Sequence, residues 1–159
     1  MRVSVQEADF DVGAETEALA AGRPEVGAVA SFVGYVRADK LAGESAADQA
    51  VSAMTLEHYP GMTEKSLEAI VLEAGSRWQL QATRVIHRFG RLTPGERIVF
   101  VGVASSHRGD AFAACEFIMD YLKTRAPFWK KEDTPEGGRW VDARETDDNA
   151  AARWESPAG

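Results

Sequence analysis

The sequence is poor in cysteine and in long hydrophobic runs. Cys115 is the only cysteine among 159 residues, which leaves no intramolecular disulfide or cysteine metal cluster and predicts a reducing, cytoplasmic environment. The longest uncharged stretch, residues 26–36, has 11 residues, whereas a membrane-spanning helix needs about 20. The N-terminus has neither the basic start nor the apolar core of a signal peptide. We therefore expect a protein without a membrane segment.

Motifs for nucleotides and metals are also lacking. Neither of the glycine-rich phosphate motifs, GxGxxG and GxxxxGK[ST], occurs in the chain. His58, His87 and His107 are scattered without the spacing of metal ligands. Cys115 falls on the apolar side of a predicted helix, where a small core residue is a better interpretation than a nucleophile. The sequence predicts no metal and no cofactor.

The charge is unevenly distributed. The net charge of −7 argues against general affinity for nucleic acid. Residues 77–131 nevertheless contain ten basic and four acidic residues, a net charge of +6, which leaves −13 for the remainder. A basic middle on an acidic body favours a local anionic ligand, although arginines exposed on strand edges would give the same count.

The order of predicted elements indicates an α+β domain. Its length fits one domain, which we place at residues 1–145, with a flexible loop at 38–50 and a polar C-terminal tail at 146–159. The predicted strands cover residues 1–7, 26–37, 51–58, 80–89, 96–105, 128–134 and 139–143, and the predicted helices cover 13–21, 63–78 and 109–125. The strand at 96–105 is nearly all apolar and should be central in its sheet. Gly27 and Gly34 indicate a bulge or a close backbone approach.

The two longer predicted helices each carry an apolar stripe. The stripe of the helix at 63–78 consists of Leu67, Ile70, Val71, Ala74 and Trp78. In the helix at 109–125, Phe112, Cys115, Met119 and Leu122 share one side, and Pro127 ends the helix.

Residues 105–109, Ser-Ser-His-Arg-Gly, mark the passage from an apolar strand into a helix. The first turn of a helix has unpaired N–H groups and the positive end of the helix dipole. With His107 and Arg108 added, this position suits an anion, most naturally a phosphate. In the simpler interpretation Ser106 caps the helix and His107 faces solvent.

Three of the five lysines lie within nine positions, at Lys123, Lys130 and Lys131. The dipole alone favours a lysine at the end of a helix. The intervening Phe128 and Trp129 argue against a purely solvated run, because desolvation by aromatic rings lowers the pKa of an amine and suits it to proton transfer. Arg37, which ends an apolar strand, is either an edge residue or a guanidinium donor to a phosphate.

Five segments together resemble the MoaE family, the large, catalytic subunits of molybdopterin synthase. They are ASFVGYVR (residues 30–37), EHYPGM (57–62), HRFGRLTPGE (87–96), SSHRGDAFAACEFIMDYLKTRAPFWKKE (105–132) and PEGGRWVDARE (135–145). The resemblance extends from about residue 3 to 154, and HRG-AF followed by LKxxAPFWK is its most specific part. It implies an α/β hammerhead fold with an additional antiparallel β subdomain.

The resemblance also implies the site residues. Lys123 and Lys130 would be catalytic, while Arg37, His107 and Arg108 would line the anionic substrate site. Tyr35 and Val36 flank Arg37, and Lys131 and Glu132 continue from Lys130, so these four would also bind substrate. Phe32, Met119 and Arg144 match further positions of the pocket.

The implied reaction is the transfer of sulfur to cyclic pyranopterin monophosphate, which forms the dithiolene of molybdopterin. The sulfur would come from the C-terminal Gly-Gly thiocarboxylate of a small ubiquitin-like partner, docked at each end of a homodimer to give a heterotetramer. Two other functions fit the residues: an adaptor that only binds a ubiquitin-like tail, and a phosphate-ester hydrolase that acts alone.

Overall fold

The computed structural model describes residues 2–38, 53–134, 137–141 and 145–155. Eight strands and four helices follow one another along these residues. The strands are β1 (Val3–Gln6), β2 (Ala28–Tyr35), β3 (Ala53–His58), β4 (Ala82–Arg88), β5 (Gly90–Leu92), β6 (Arg97–Ser105), β7 (Phe128–Thr134) and β8 (Gly137–Val141). The helices are α1 (Val12–Ala20), α2 (Met62–Arg77), α3 (Arg108–Arg125) and α4 (Glu145–Ala152).

The first sheet has the order β1-β4-β6-β2, and helices cover both of its faces. Val99, Val101 and Val103 of β6 pack with α2 and α3, whereas Phe100 and Ala104 point to the other face, into a cluster with Leu19 of α1. Because both faces are covered, both sets of alternating side chains in β6 must be apolar. The central position predicted for this strand is confirmed.

The second sheet, of order β5-β3-β7-β8, is antiparallel throughout. The chain enters it at Gly90, whose positive φ of 88° lets the backbone turn out of β4 directly into β5. The sequence predicts no strand at β5, because three residues are too few to show an alternating pattern. Val36, Met54, Leu56 and Leu92 form the buried cluster of this region. The predicted α+β class is confirmed, and the hammerhead assignment stays a prediction.

Gly27 and Gly34 lie where the backbone needs space, as predicted. A Cβ at Gly27 would overlap the carbonyl oxygen of Ser106, and a Cβ at Gly34 would lie 2.8 Å from a methyl carbon of Val99. The β2–β6 register also shifts between Gly34 and Tyr35. Gly27 therefore allows the turn before α3 to pack directly against the start of β2.

The apolar stripes of the longer helices are largely confirmed, with one exception. Leu67, Ile70, Val71 and Ala74 of α2 are buried, and α3 buries eight residues, including Cys115, Met119 and Leu122. Phe112 was predicted on the same side but is 65% exposed. The buried side of the first two turns of α3 consists of Ala111 and Ala114 instead.

The C-terminal region contains a helix that the sequence analysis missed. It assigned residues 146–159 to a polar tail, but α4 packs against α3 and buries Ala151. The ring of Trp154 lies 5.6 Å from Trp78 and 5.7 Å from Phe117. Its indole nitrogen donates to the Asp120 carboxylate at 2.7 Å. Ala151 and Trp154 thus attach a polar segment to the core.

Other expectations fall outside the described residues. The predicted flexible loop at 38–50 lies outside them except for its first residue, and so does Arg144. No helix within the described part of the chain is long and apolar enough to cross a membrane.

Candidate active site

Lys123 and Lys130 lie on either side of the turn that joins α3 to β7. Lys123 is exposed in the last turn of α3, and the helix ends where the Ala126 N–H donates to the carbonyl of Leu122. Pro127 follows, and β7 begins at Phe128. The two lysines therefore lie at the two ends of a tight helix-to-strand turn, and their sharing of one pocket stays a prediction.

The register of β7 on β3 determines which side chains share the inner face of the second sheet. His58 lies opposite Phe128, Leu56 opposite Lys130, and Met54 opposite Glu132. Residues directly opposite on paired strands point to the same face. Leu56 and Met54 are buried, so Lys130 and Glu132 lie on the inner face beside them.

His87, at the end of β4, is the most deeply buried basic side chain of this region. Its ring stacks on Phe128 with centroids 3.7 Å apart and planes 20° apart. Burial lowers the pKa of His87 to about 3, and the positive charges of Lys123, Lys130 and His58 lower it further. Phe128 lies five residues after Lys123 and two before Lys130, so the stacked imidazole lies at the turn between the two lysines. We call His58, His87, Lys123, Phe128 and Lys130 the lysine corner.

Two polar atoms near the lysine corner are buried without a hydrogen-bond partner among the described residues. They are Nδ1 of His58 and Oε2 of Glu132, both on the inner face of the second sheet. Buried polar atoms are nearly always satisfied, by protein, water or a ligand. A bound molecule with hydrogen-bonding groups would meet this need.

Arg37 approaches the same region from β2. Val36 is buried in the cluster with Met54 and Leu56, and its backbone is held by hydrogen bonds to Gly95 and Glu96. Arg37 follows Val36 directly and is exposed. Phe32 and Tyr35 are exposed on β2, at 41% and 50%. The segment at 35–37 thus lies beside the strand that pairs with Lys130.

The other end of α3 carries His107 and Arg108, which we call the helix-start pair. Both are exposed, and His107 is the N-cap residue without a side-chain capping bond. Ser106 does not cap the helix, because its hydroxyl donates to the carbonyl of Glu25 and accepts from Gln81. The first-turn N–H groups are thus left without a side-chain acceptor from the cap position, as an anion site requires.

The structure does not bring the helix-start pair and the lysine corner together within one chain. Arg108 and Lys123 occupy opposite ends of α3. At a rise of about 1.5 Å per residue, about 22 Å separates their Cα atoms along the helix axis. The predicted single site therefore divides into two cationic regions in one protomer.

The surroundings of three further residues follow from the strand register and from burial. Lys131 lies opposite Thr55 and points to the other face of β7 from Lys130. Met119 is 9% exposed and belongs to the core around α3. Cys115 is buried, which raises the pKa of its thiol to about 11. This confirms that Cys115 is a core residue rather than a reactive thiolate.

His58, His87 and Phe89 are the residues of this region whose importance the sequence reasoning missed. His58 and His87 are 29 positions apart in the sequence, so no spacing indicates that they lie near each other. Phe89 packs on His58 with ring centroids 4.4 Å apart. The position of His87 at the end of an apolar strand was the available signal. Within the described residues no three His, Cys, Asp or Glu side chains gather as metal ligands.

The fold and the site define an α+β protein with two cationic regions, one at each end of α3. The model of the MoaE protein family matches residues 5–125. The chain belongs to this family.

The relatives cover nearly the whole chain. The molybdopterin synthase catalytic subunit of Ralstonia nicotianae is 64% identical over 152 residues, which are 96% of this chain and 83% of that protein. The solved molybdopterin biosynthesis MoaE protein of Burkholderia ambifaria is 57% identical, with a TM-score of 0.80 over 98% of both chains. The structure of molybdopterin synthase from Staphylococcus aureus is 28% identical, with a TM-score of 0.77 over 87% of this chain and 96% of that one.

Proposed function

We propose that this chain is the catalytic subunit of a molybdopterin synthase and acts in the cytoplasm. It transfers sulfur from the C-terminal thiocarboxylate of a small ubiquitin-like partner to cyclic pyranopterin monophosphate. The observation that carries this is the lysine corner, where Lys123 and Lys130 flank the turn from α3 to β7 and Phe128 between them stacks on the buried His87. A chain whose one cysteine is buried also needs an outside source of sulfur.

The lysine corner performs the chemical step. The thiocarboxylate sulfur attacks a side-chain carbon of the pterin, and a C–S bond forms as the bond to the leaving oxygen breaks. Lys123 is the general acid and base, and Lys130 polarises the leaving oxygen. Water then cleaves the acyl–sulfur bond, which leaves the sulfur on the pterin and a carboxylate on the partner. A second loaded partner supplies the second sulfur.

The cationic residues outside the lysine corner bind the anionic groups. Arg37, His107 and Arg108 hold the cyclic phosphate and stabilise charge as it opens. Tyr35 and Val36 position Arg37, and Glu132 offers its unpartnered buried oxygen to the substrate. Lys131, Phe32, Met119 and Arg144 remain proposed contacts of the substrate or of the partner's tail.

In this proposal the site is shared by two protomers. Since about 22 Å lies between Arg108 and Lys123 in one chain, the helix-start pair of one protomer completes the lysine corner of its partner in the homodimer. Two such sites form by symmetry, one at each lysine corner. One small subunit docks at each, which gives the heterotetramer.

Reconstitution tests the reaction. The purified chain is mixed with cyclic pyranopterin monophosphate and thiocarboxylated partner, and dithiolene is measured. Dithiolene formation supports the synthase. A stable complex without product would favour the adaptor, and phosphate release without partner would favour the hydrolase.

Complementation tests the shared site. Lys123→Ala and Arg108→Ala proteins are assayed alone and after co-refolding, at low substrate concentration. A heterodimer then contains one site with both residues intact, so about a quarter of the wild-type activity should return. Failure to recover activity while heterodimers form would place both residues in one protomer's site.

A further inference from the structure

The side chain of His87 has a fixed tautomer. Its Nδ1 lies 2.8 Å from the carbonyl oxygen of Arg88. A carbonyl oxygen can only accept, so the proton is on Nδ1 and the lone pair is on Nε2. The ring is 5% exposed and fixed by its stacking on Phe128. His87 therefore presents one hydrogen-bond acceptor in a rigid position.

The charge of this imidazole is also fixed. Desolvation is the largest cause of its lowered pKa, and Lys123, Lys130 and His58 all oppose a further positive charge there. A neutral ring with a free lone pair is the group that can lie against an ammonium group without repulsion. Phe128, on which the His87 ring stacks, follows the last turn of α3 that carries Lys123, so the imidazole lies at the end of the helix from which Lys123 extends.

We propose that His87 is a positioning residue for Lys123: its Nε2 accepts a hydrogen bond from the Lys123 ammonium and directs that group at the substrate. The inference deepens the proposed function and rests on it. Phe128 also contributes to this positioning, because its ring holds the imidazole in place by stacking. Phe128 is also the first residue of β7, the strand that carries Lys130. His87 itself does not touch the reacting atoms.

Three substitutions distinguish the role of the Nε2 acceptor from the role of the stacked ring. His87→Phe keeps a stacking ring and removes both nitrogens. His87→Gln places an amide near the former Nε2, whereas His87→Asn places one near the former Nδ1. Ile86→Val is the matched control, because Ile86 is the neighbouring residue of β4 and packs on the opposite face of the sheet.

Kinetics with the full chain and thiocarboxylated partner give the first readout. We expect His87→Phe to lower kcat about tenfold or more with little change in KM, because a hydrogen bond to a charged group is lost. His87→Gln should recover more of kcat than His87→Asn, and Ile86→Val should retain it. Wild-type kcat in His87→Phe would overturn the inference, as would equal kcat in the Gln and Asn variants.

The second readout does not depend on activity. Amine labelling of Lys123 is followed against pH by mass spectrometry, with the exposed Lys65 as internal reference. An acceptor stabilises the ammonium form, so the labelling midpoint of Lys123 should move to lower pH in His87→Phe and less so in His87→Gln. An unmoved midpoint in folded His87→Phe would overturn the inference even if the synthase reaction is confirmed.

A third measurement uses the wild-type protein alone, in case the variants do not fold. Nitrogen NMR of ¹⁵N-histidine-labelled protein should show His87 with a protonated Nδ1 and a hydrogen-bonded, unprotonated Nε2. A protonated Nε2 would contradict the proposal. If the wild-type protein forms no dithiolene with loaded partner, the proposed function fails instead, which is a distinguishable result.

Discussion

The two ends of α3 carry cationic groups of opposite character. At the N-terminal end, His107 and Arg108 are exposed, and the helix adds unpaired N–H groups and a positive dipole end. At the C-terminal end, Lys123 lies beside Lys130 and a buried, neutral His87. The first end suits the binding of an anion, and the second suits proton transfer. In the proposed function, binding and chemistry therefore occupy different ends of one helix, the binding end with His107 and Arg108 and the chemical end with Lys123 and Lys130.

The largest effect should come from the chemical end. We expect Lys123→Ala to lower the rate of dithiolene formation about 10²- to 10⁴-fold, the usual contribution of a positioned acid or base. Single-turnover assays with loaded partner measure this. Lys65→Ala, which removes an exposed lysine of α2, is the control and should leave the rate unchanged. Full turnover by Lys123→Ala would remove the assigned role.

The binding end should respond in KM rather than in kcat. Arg108→Ala removes a charge-assisted donor to the phosphate and should raise KM about 10- to 100-fold. Steady-state kinetics over a range of substrate concentrations separate the two constants. Arg2→Ala removes an exposed arginine that pairs with Glu68, and it controls for net charge. A loss in kcat alone would mean that Arg108 acts in the chemical step instead of in phosphate binding.

The sequence predicted the chemical end better than the binding end. The turn between Lys123 and Lys130 is local, so spacing alone brought the two lysines together. The separation of Arg108 from Lys123 follows from the uninterrupted helix α3, which the sequence also predicts. The contact of His87 with Phe128 joins two strands 41 positions apart and carries no sequence period. The packing of Trp154 on Phe117 could not be predicted either, because this contact also joins distant positions without a sequence period.

A third prediction concerns the backbone that holds the binding end. Gly27→Ala places a methyl group on the Ser106 carbonyl, so it should lower the free energy of unfolding by about 1–3 kcal/mol, as overpacking does. It should also raise KM by shifting His107 and Arg108. Gly75→Ala is the matched control, because its Cβ meets open space within α2 and should stabilise by about 0.5–1 kcal/mol. Denaturant unfolding of both variants measures these changes in the free energy of unfolding. An unchanged free energy of unfolding in Gly27→Ala would contradict the close approach of the Ser106 carbonyl to Gly27.

The last prediction sharpens the chemical end through the pH dependence of stability. The pKa of His87 is lowered from 6.5 to about 3 in the folded protein. As the pH falls below 6.5, the unfolded chain takes up a proton that the folded chain does not, so the contribution of His87 to stability is complete above 6.5 and is lost toward pH 3. Relative to His87→Phe, the wild-type protein should lose up to about 1.4 kcal/mol of unfolding free energy per pH unit in this range.

Urea unfolding of both proteins from about pH 7 to about pH 5 measures this difference, where most carboxylates are still ionised. Ile86→Val should lower stability by about 0.5–1.5 kcal/mol and keep the wild-type slope, since it makes a small cavity without removing a titrating group. Parallel curves for the wild-type protein and His87→Phe would mean that the imidazole takes up its proton in the folded state over the same pH range as in the unfolded chain. Lys123 would then face a cation instead of an acceptor, and the contrast between the two ends of α3 would be one of burial alone.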